Sequence, residues 1–290
     1  MAKATTTRRH NFIVSLQNSD NMGITDHDGK AALLWYAFKQ RLGTSVDINF
    51  PPYLQNLLSP GDPITMRELE KPFTIQEIKA LIDDLPNGKS PRSDGFNNEF
   101  YKACWDIIAT DIITLIESFF NGNICLESIN SSFITLIPKI ANPQGPNDFR
   151  PISLLNTSVK IITKLLANRL QLIILKLIHI NQYGFLKDRA IQDCIAWAFE
   201  YLFQCQSSGK ECLLLKLEFE KDFDTVEHQA IIKVLQAKGF GDKWINWMHL
   251  LFNSATSVVL LNGVPGKKFY RKKRCKAREP TFPFTFCDYC

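Results

Sequence analysis

Between residues 30 and 42 the apolar positions recur every three or four residues, and Gly43 follows, which predicts an amphipathic helix closed by a glycine. Residues 1–29 are polar and show no period, so chain-terminal disorder is the expectation there. Residues 44–65 are rich in Pro and Ser and read as a linker. Thr74 and Glu77 have capping-box spacing and open a helix to about Asp84, which Pro86 ends. Asn87 to Gly95 is dense in turn residues, and a long helix is expected from about Asn97 to Phe120.

Further on, Ser132 to Ile140 reads as a strand, and Ala141 to Phe149 as a loop holding Pro143 and Pro146. Ser158 to Ile178 has helical periodicity. A loop from Asn181 to Arg189 precedes a helix from about Ile191 to Cys205. Cys212 to Phe219 is an apolar strand, two helices fall near 228–238 and 242–253, and Ser257 to Leu261 is a strand running into the hairpin signal Asn262-Gly263. No segment repeats.

The chemistry concentrates where the apolar run Leu213, Leu215, Leu217, Phe219 meets four carboxylates, Glu218, Glu220, Asp222 and Asp224. Side chains two apart on an extended chain share a face, and like charges so placed repel unless a cation neutralises them. A hard divalent cation with oxygen ligands suits that set. The plainer reading is a solvated strand end running into a helix whose first turn is acidic. Phe223, between two carboxylates, weighs against a fully solvated loop.

Two other segments carry weaker signals. A strand delivers Lys139 and the chain returns Arg150 about ten residues later; two cations on such a hairpin can clamp a triphosphate, or can be ordinary exposed residues at loop ends. Gln182, Tyr183, Gly184 and Phe185, with Arg189, join an amide, a glycine and two aromatics, which suits stacking on a nucleic-acid strand or simple packing on a core.

Charge and cysteine usage narrow the classes. Net charge is +5, but eight of the 34 basic residues lie between Lys267 and Arg278; the remaining 26 face 29 acidic residues, so any binding surface must be local. The eight cysteines have no disulfide-framework spacing, which favours an intracellular protein, nuclear or cytoplasmic, with no disulfide-linked partner. Cys287 and Cys290 form one C-x-x-C pair without a second. No apolar run reaches the ~18 residues of a membrane span, so no membrane association is expected.

In order, Gly88-Lys89-Ser90-Pro91 with Asp94-Gly95, Ile137-Pro138-Lys139, Phe149-Arg150-Pro151-Ile152-Ser153, Leu166-Ala167-Asn168-Arg169-Leu170, Gln182-Tyr183-Gly184-Phe185, and Leu217-Glu218-Phe219-Glu220-Lys221-Asp222-Phe223-Asp224 closely resemble the reverse transcriptase of non-LTR retrotransposons of the LINE type, as in plant genomes. The resemblance covers roughly residues 65–274. It implies an α+β (mixed α and β) fold, the fingers and a partial palm of a right-hand polymerase, ending before the Tyr-x-Asp-Asp motif. It divides the chain into a linker region with a helix (1–64), the polymerase segment (65–274) and a tail (275–290) that reads as the product of a frameshift.

By resemblance the activity is RNA-directed DNA synthesis with an RNA template, a DNA primer, dNTP and Mg²⁺. Glu218 and Asp224 fall at catalytic positions, and Glu218 with the carbonyl of Phe219 at the metal. Lys139, Arg150 and Phe223 fall at the nucleotide, and Lys89, Gln182, Gly184, Phe185 and Arg189 along the template. Three departures bear on activity. Position 218 is Glu where the family has Asp, and ~1 Å of misplacement costs on the order of 100-fold. Position 222 is Asp where the family usually has Ala. Most serious, the family's Tyr-x-Asp-Asp turn, which supplies the remaining metal ligands, is absent, and the one Asp-Asp, Asp83-Asp84, lies upstream of the motifs. Little or no polymerase activity is expected of the isolated chain; the alternatives are a non-catalytic RNA or primer–template binding remnant and a non-functional retroelement relic.

Overall fold

The computed structural model describes residues 11–18, 20–46, 61–88, 94–184, 186, 188–217 and 226–273. Helices and sheet are mixed in it. Its main sheet has four strands, β3 (Ser131–Pro138), β4 (Phe149–Leu155), β5 (Thr256–Leu261) and β6 (Val264–Tyr270), in the order β4-β3-β5-β6. β3 pairs antiparallel with β4 and parallel with β5, and β5 pairs antiparallel with β6. A two-stranded pair, β1 (Leu16–Gln17) and β2 (Gly23–Ile24), stands apart from it.

One face of the sheet is covered by α1 (His27–Gly43). Asp26 caps this helix by accepting the Gly29 N–H at 2.6 Å. Its stripe Leu34, Phe38 and Leu42 packs on Ile134, Leu136, Phe149, Val259, Leu261 and Phe269, and all of these are buried. Alternation along β3, with Ser132, Ile134 and Leu136 buried, fixes which face that is. The β5–β6 turn has Asn262 at φ 53° and Gly263 at φ 92°, as a two-residue hairpin with the strands' twist requires.

The helices form the rest of the core. They are α2 (Pro63–Glu68), α3 (Ile75–Asp84), α4 (Asn98–Ala103), α5 (Trp105–Phe120), α6 (Thr157–Gln171), α7 (Ile174–Leu177), α8 (Ile191–Ser207), α9 (His228–Ala237) and α10 (Asp242–Asn253). A large cluster joins α6, α9 and α10 around Leu166, Ile231, Leu235, Trp244 and Trp247. A second joins α3, α5 and α6 around Ile82, Ile116 and Ile161.

Several expectations are corrected. Residues 11–29 are not disordered where described: Ile13 and Leu16 are buried, and the Lys30 ammonium donates to the carbonyls of Ile13 (3.2 Å) and Val14 (2.7 Å). Asn262 completes the tie, accepting the Ile13 N–H at 2.9 Å and donating to its carbonyl at 3.0 Å. The helix expected over 97–120 breaks at Cys104, and the one over 158–178 breaks at Leu172 and Ile173. Thr74 caps α3 as expected, accepting the Glu77 N–H at 3.1 Å, but the Glu77 carboxylate pairs with Arg169. The strand expected from Cys212 is absent over the described residues 212–217, and Leu213 is 92% exposed. An extended apolar run becomes a strand only against a neighbouring strand or a covered face, and among the described residues no strand pairs with it.

Candidate nucleotide and nucleic-acid interface

The β3–β4 hairpin places the two expected nucleotide cations together. Ile137 lies opposite Arg150 and Pro138 opposite Phe149, and the Lys139 N–H extends the ladder to the Asp148 carbonyl at 2.7 Å. Ile134, Leu136 and Phe149 face α1, so Ile137, Lys139 and Arg150 lie on the opposite face, and all three are exposed. Lys139 and Arg150 are diagonal neighbours on that face, roughly 7–8 Å apart in such a ladder.

The connection between the strands is held from within and from outside. The Asp148 carboxylate accepts the N–H groups of Gln144 (2.8 Å) and Gly145 (2.9 Å), and the Lys139 ammonium donates to the Asn147 carbonyl at 2.7 Å. The hydrogen bond from Gly145, then that from Gln144, holds the Asp148 carboxyl below the usual range; Lys139 adds a smaller push. From outside, the Gln17 N–H donates to the Gln144 carbonyl at 2.7 Å, and Arg41 of α1 donates to the Asn147 side chain. Sequence reasoning missed these braces. The run Gly145-Pro146-Asn147-Asp148 carried a signal, since an Asp that ends such a turn commonly accepts from its own backbone.

Lys89 lies outside the described residues, but the turn leading to it is anchored. Gly88 has φ 69°, and its N–H donates to the Glu99 carboxylate; this bond is the main reason the Glu99 carboxyl sits below its ordinary value. Asn98 donates to the Pro86 carbonyl at 2.7 Å, and Lys102 to the Asn87 side chain at 2.9 Å. The start of α4 therefore fixes the turn that ends at Gly88.

The other template candidates lie on a separate loop. Arg189 donates to the carbonyls of His179 (2.7 Å) and Gln182 (2.6 Å) and so closes it. Gly184 has no positive φ, and a Cβ there would meet the Gln182 amide at an ordinary 3.6 Å, so packing within the described chain does not demand glycine. Phe185 lies outside the described residues. No described hydrogen bond or ion pair joins this loop to Lys139 or Arg150.

Glu218, Phe219, Phe223 and Asp224, with the rest of the acidic segment, also lie outside the described residues. Its flanks differ. Leu213, Leu214, Leu215 and Leu217 before it are exposed. After it, Glu227 is buried, accepts the Val46 N–H at 3.1 Å and pairs with the Lys273 ammonium at 3.1 Å. Among the described residues no three His, Cys, Asp or Glu side chains are placed to hold a metal ion.

Arg169, within the Leu-Ala-Asn-Arg-Leu motif, is a structural residue that sequence reasoning did not single out. Its Nε and Nη2 each donate to the Glu77 carboxylate at 2.9 Å, and Nη1 donates to the carbonyls of Leu69 (2.9 Å) and Lys71. Nη2 also reaches the Pro72 carbonyl at 2.9 Å, and the guanidinium lies 3.9 Å from the Phe73 ring centroid. One side chain thus fastens residues 69–77 to α6.

Residues 137–277 match the family described as reverse transcriptase (RNA-dependent DNA polymerase). They belong to that family. The match takes in the last two residues of β3, all of β4, the loop closed by Arg189 and the acidic segment. A 149 kDa transposon TX1 protein of Xenopus laevis is 31% identical over 229 residues, covering 72% of this chain and 17% of that protein. The RNA-directed DNA polymerase from mobile element jockey of Drosophila melanogaster is 24% identical over 176 residues, 57% of this chain and 19% of that one. The Pol polyprotein of a type-1 R2 retrotransposable element of Popillia japonica is 27% identical over 154 residues, 52% and 21%. The reverse transcriptase domain is thus of the non-LTR retrotransposon kind. The chain spans about a fifth of the length of these relatives. No helix among the described residues is long and apolar enough to cross a membrane.

Proposed function

We propose that the chain carries the fingers and first part of the palm of an RNA-directed DNA polymerase, and that the open face of the β3–β4 hairpin holds the incoming triphosphate. The observation that carries this is the ladder register, which sets Lys139 and Arg150 on one exposed face inside the segment that matches the family. A forked guanidinium and a point-charge ammonium are complementary to a polyphosphate. Lys139 now donates to the Asn147 carbonyl, so nucleotide binding exchanges that bond for phosphate oxygens.

Template contact is assigned to Lys89, Gln182, Gly184, Phe185 and Arg189, with Phe223 beside the sugar. Glu218, the Phe219 carbonyl and Asp224 offer the hard oxygen donors that Mg²⁺ takes. When bound, the metal would activate the attacking oxygen and stabilise the leaving one. Template RNA, DNA primer and dNTP are the partners on this reading. The 290 residues hold no Tyr-x-Asp-Asp run, and the isolated chain is expected to bind nucleotide without sustained extension.

Two measurements test this. Binding of a fluorescent dNTP should weaken at least ten-fold in Lys139→Ala/Arg150→Ala, a loss of about 1.4 kcal/mol or more for two charge-assisted contacts; unchanged binding would sink the clamp. Primer extension on an RNA template with Mg²⁺ should show no product, and robust extension would show that the catalytic set is complete.

One observation favours the relic reading. α8 exposes Trp197 (67%), Phe199, Tyr201 and Phe203, and the leucines after it are exposed too. Surface of this kind on a lone domain leads to self-association. A thermal melt separates the readings: a cooperative transition supports a folded binding module, and its absence supports a relic.

A further inference from the structure

We propose that the cleft between α1 and the edge strand β6 is a second contact site for single-stranded nucleic acid, separate from the β3–β4 hairpin. The cleft has a volume of about 950 Å³, within the range of small-ligand sites. Its walls are His27, Trp35 and Tyr36 from α1 and Lys267 from β6, and the small side chains Ala31 and Ala32 leave the space between them open. Tyr36 is 60% exposed. Two ammonium groups lie near the Trp35 ring, Lys39 at 4.5 Å and Lys267 at 6.0 Å from its centroid.

The exposed Tyr36 ring, next to a half-buried Trp35 with two ammonium groups near it, offers what a single strand requires. Each base supplies a face to stack, and each phosphate a charge to neutralise. Asp28 is the one carboxylate in the lining, and it can accept from a base amino group. The neighbouring Asp26 is already engaged in capping α1. A folded duplex keeps its base faces stacked inside and cannot use Tyr36. β6 forms the sheet edge opposite β4, with β3 and β5 between them, so β6 is roughly 10–14 Å across the sheet from the proposed triphosphate clamp. A strand there would be held away from the reacting end.

The test uses the full 290-residue chain and a fluorescein-labelled 12-nucleotide strand carrying 5-iodouracil, made once as RNA and once as DNA. Crosslinks mapped by mass spectrometry should fall within residues 27–39 and 264–268. Tyr36→Ala and Lys267→Glu, both at exposed positions, should each weaken binding by about ten-fold with an unchanged melt. Tighter binding of one strand assigns the cleft to RNA or to DNA. Crosslinks confined to other residues, affinities equal to the parent's in both variants, or a duplex competing as well as a single strand would each overturn the proposal. Lys139→Ala/Arg150→Ala distinguishes it from the clamp: that variant should lose dNTP binding and keep the crosslinks in residues 27–39.

Discussion

The sheet under α1 and the arm formed by α8 and residues 211–217 are both rich in apolar residues and meet opposite fates. In the first, Leu34, Phe38 and Leu42 meet an alternating sheet face, and every one of them is buried. In the second, Trp197, Phe199 and four leucines are exposed, and Cys205 is the one buried side chain of the helix. The difference is not propensity, since α8 forms as its periodicity predicts. It lies in whether a second apolar face is present to receive the first, because most helical stability in proteins comes from such packing.

Substitutions can break this comparison. Phe38 is fully buried, and Phe38→Ala should cost about 3–5 kcal/mol by chemical denaturation. Arg169→Ala should cost a similar 3–5 kcal/mol, because it leaves the Glu77 carboxylate and several carbonyls without their donor. A change below ~1 kcal/mol in either would mean that these cores are not what holds the domain.

A smaller effect is expected at the β3–β4 connection. The Asp148 carboxyl is held below its ordinary value, so its folded pKa lies under the unfolded value of ~3.9. Its stabilisation is present above about pH 4 and is lost as pH falls through the folded value. Amide exchange at Gln144 and Gly145 should therefore accelerate on acidification, and Asp148→Asn should abolish that dependence. The smallest effect belongs to the arm. Trp197→Lys should change stability by no more than ~0.5 kcal/mol while reducing self-association in sedimentation. A loss of 2 kcal/mol there would show that α8 is packed in solution and that the two regions do not differ.

Much of the fold was legible where period and capping agree. α1, α3, α8, α9, α10, β3 and β5 fall close to where the pattern predicts them. In the main sheet the strands missed as such, β4 and β6, are both edges, and the short β1 and β2 fell where disorder was expected. Pro151 interrupts β4, and Val264-Pro265-Gly266-Lys267-Lys268 gives β6 little apolar alternation; an edge strand tolerates proline because one side of it needs no donor. Residues 212–217 failed in the reverse direction, since an apolar run states what must be buried and not whether a neighbour exists. Of the site, the placement of Lys139 and Arg150 on one hairpin followed from their spacing. Arg41 and Gln17, which brace that hairpin, were invisible because a contact between residues 41 and 147 leaves no local trace.

Asn262 grips Ile13 across 249 positions of chain, and β3 lies parallel to β5 across more than a hundred. Neither contact can form until nearly all the described polypeptide has left the ribosome, so Ile13 and the β5-facing edge of β3 wait for partners far along the chain. Long-range closure of this kind slows folding and lengthens the time that unpaired β-edges are open to other chains. A nascent chain halted before residue 256 would have Ile134, Leu136 and Phe149 to offer the apolar stripe of α1 but not Val259, Leu261 or Phe269, and chaperone demand during synthesis should fall once the β5–β6 turn emerges.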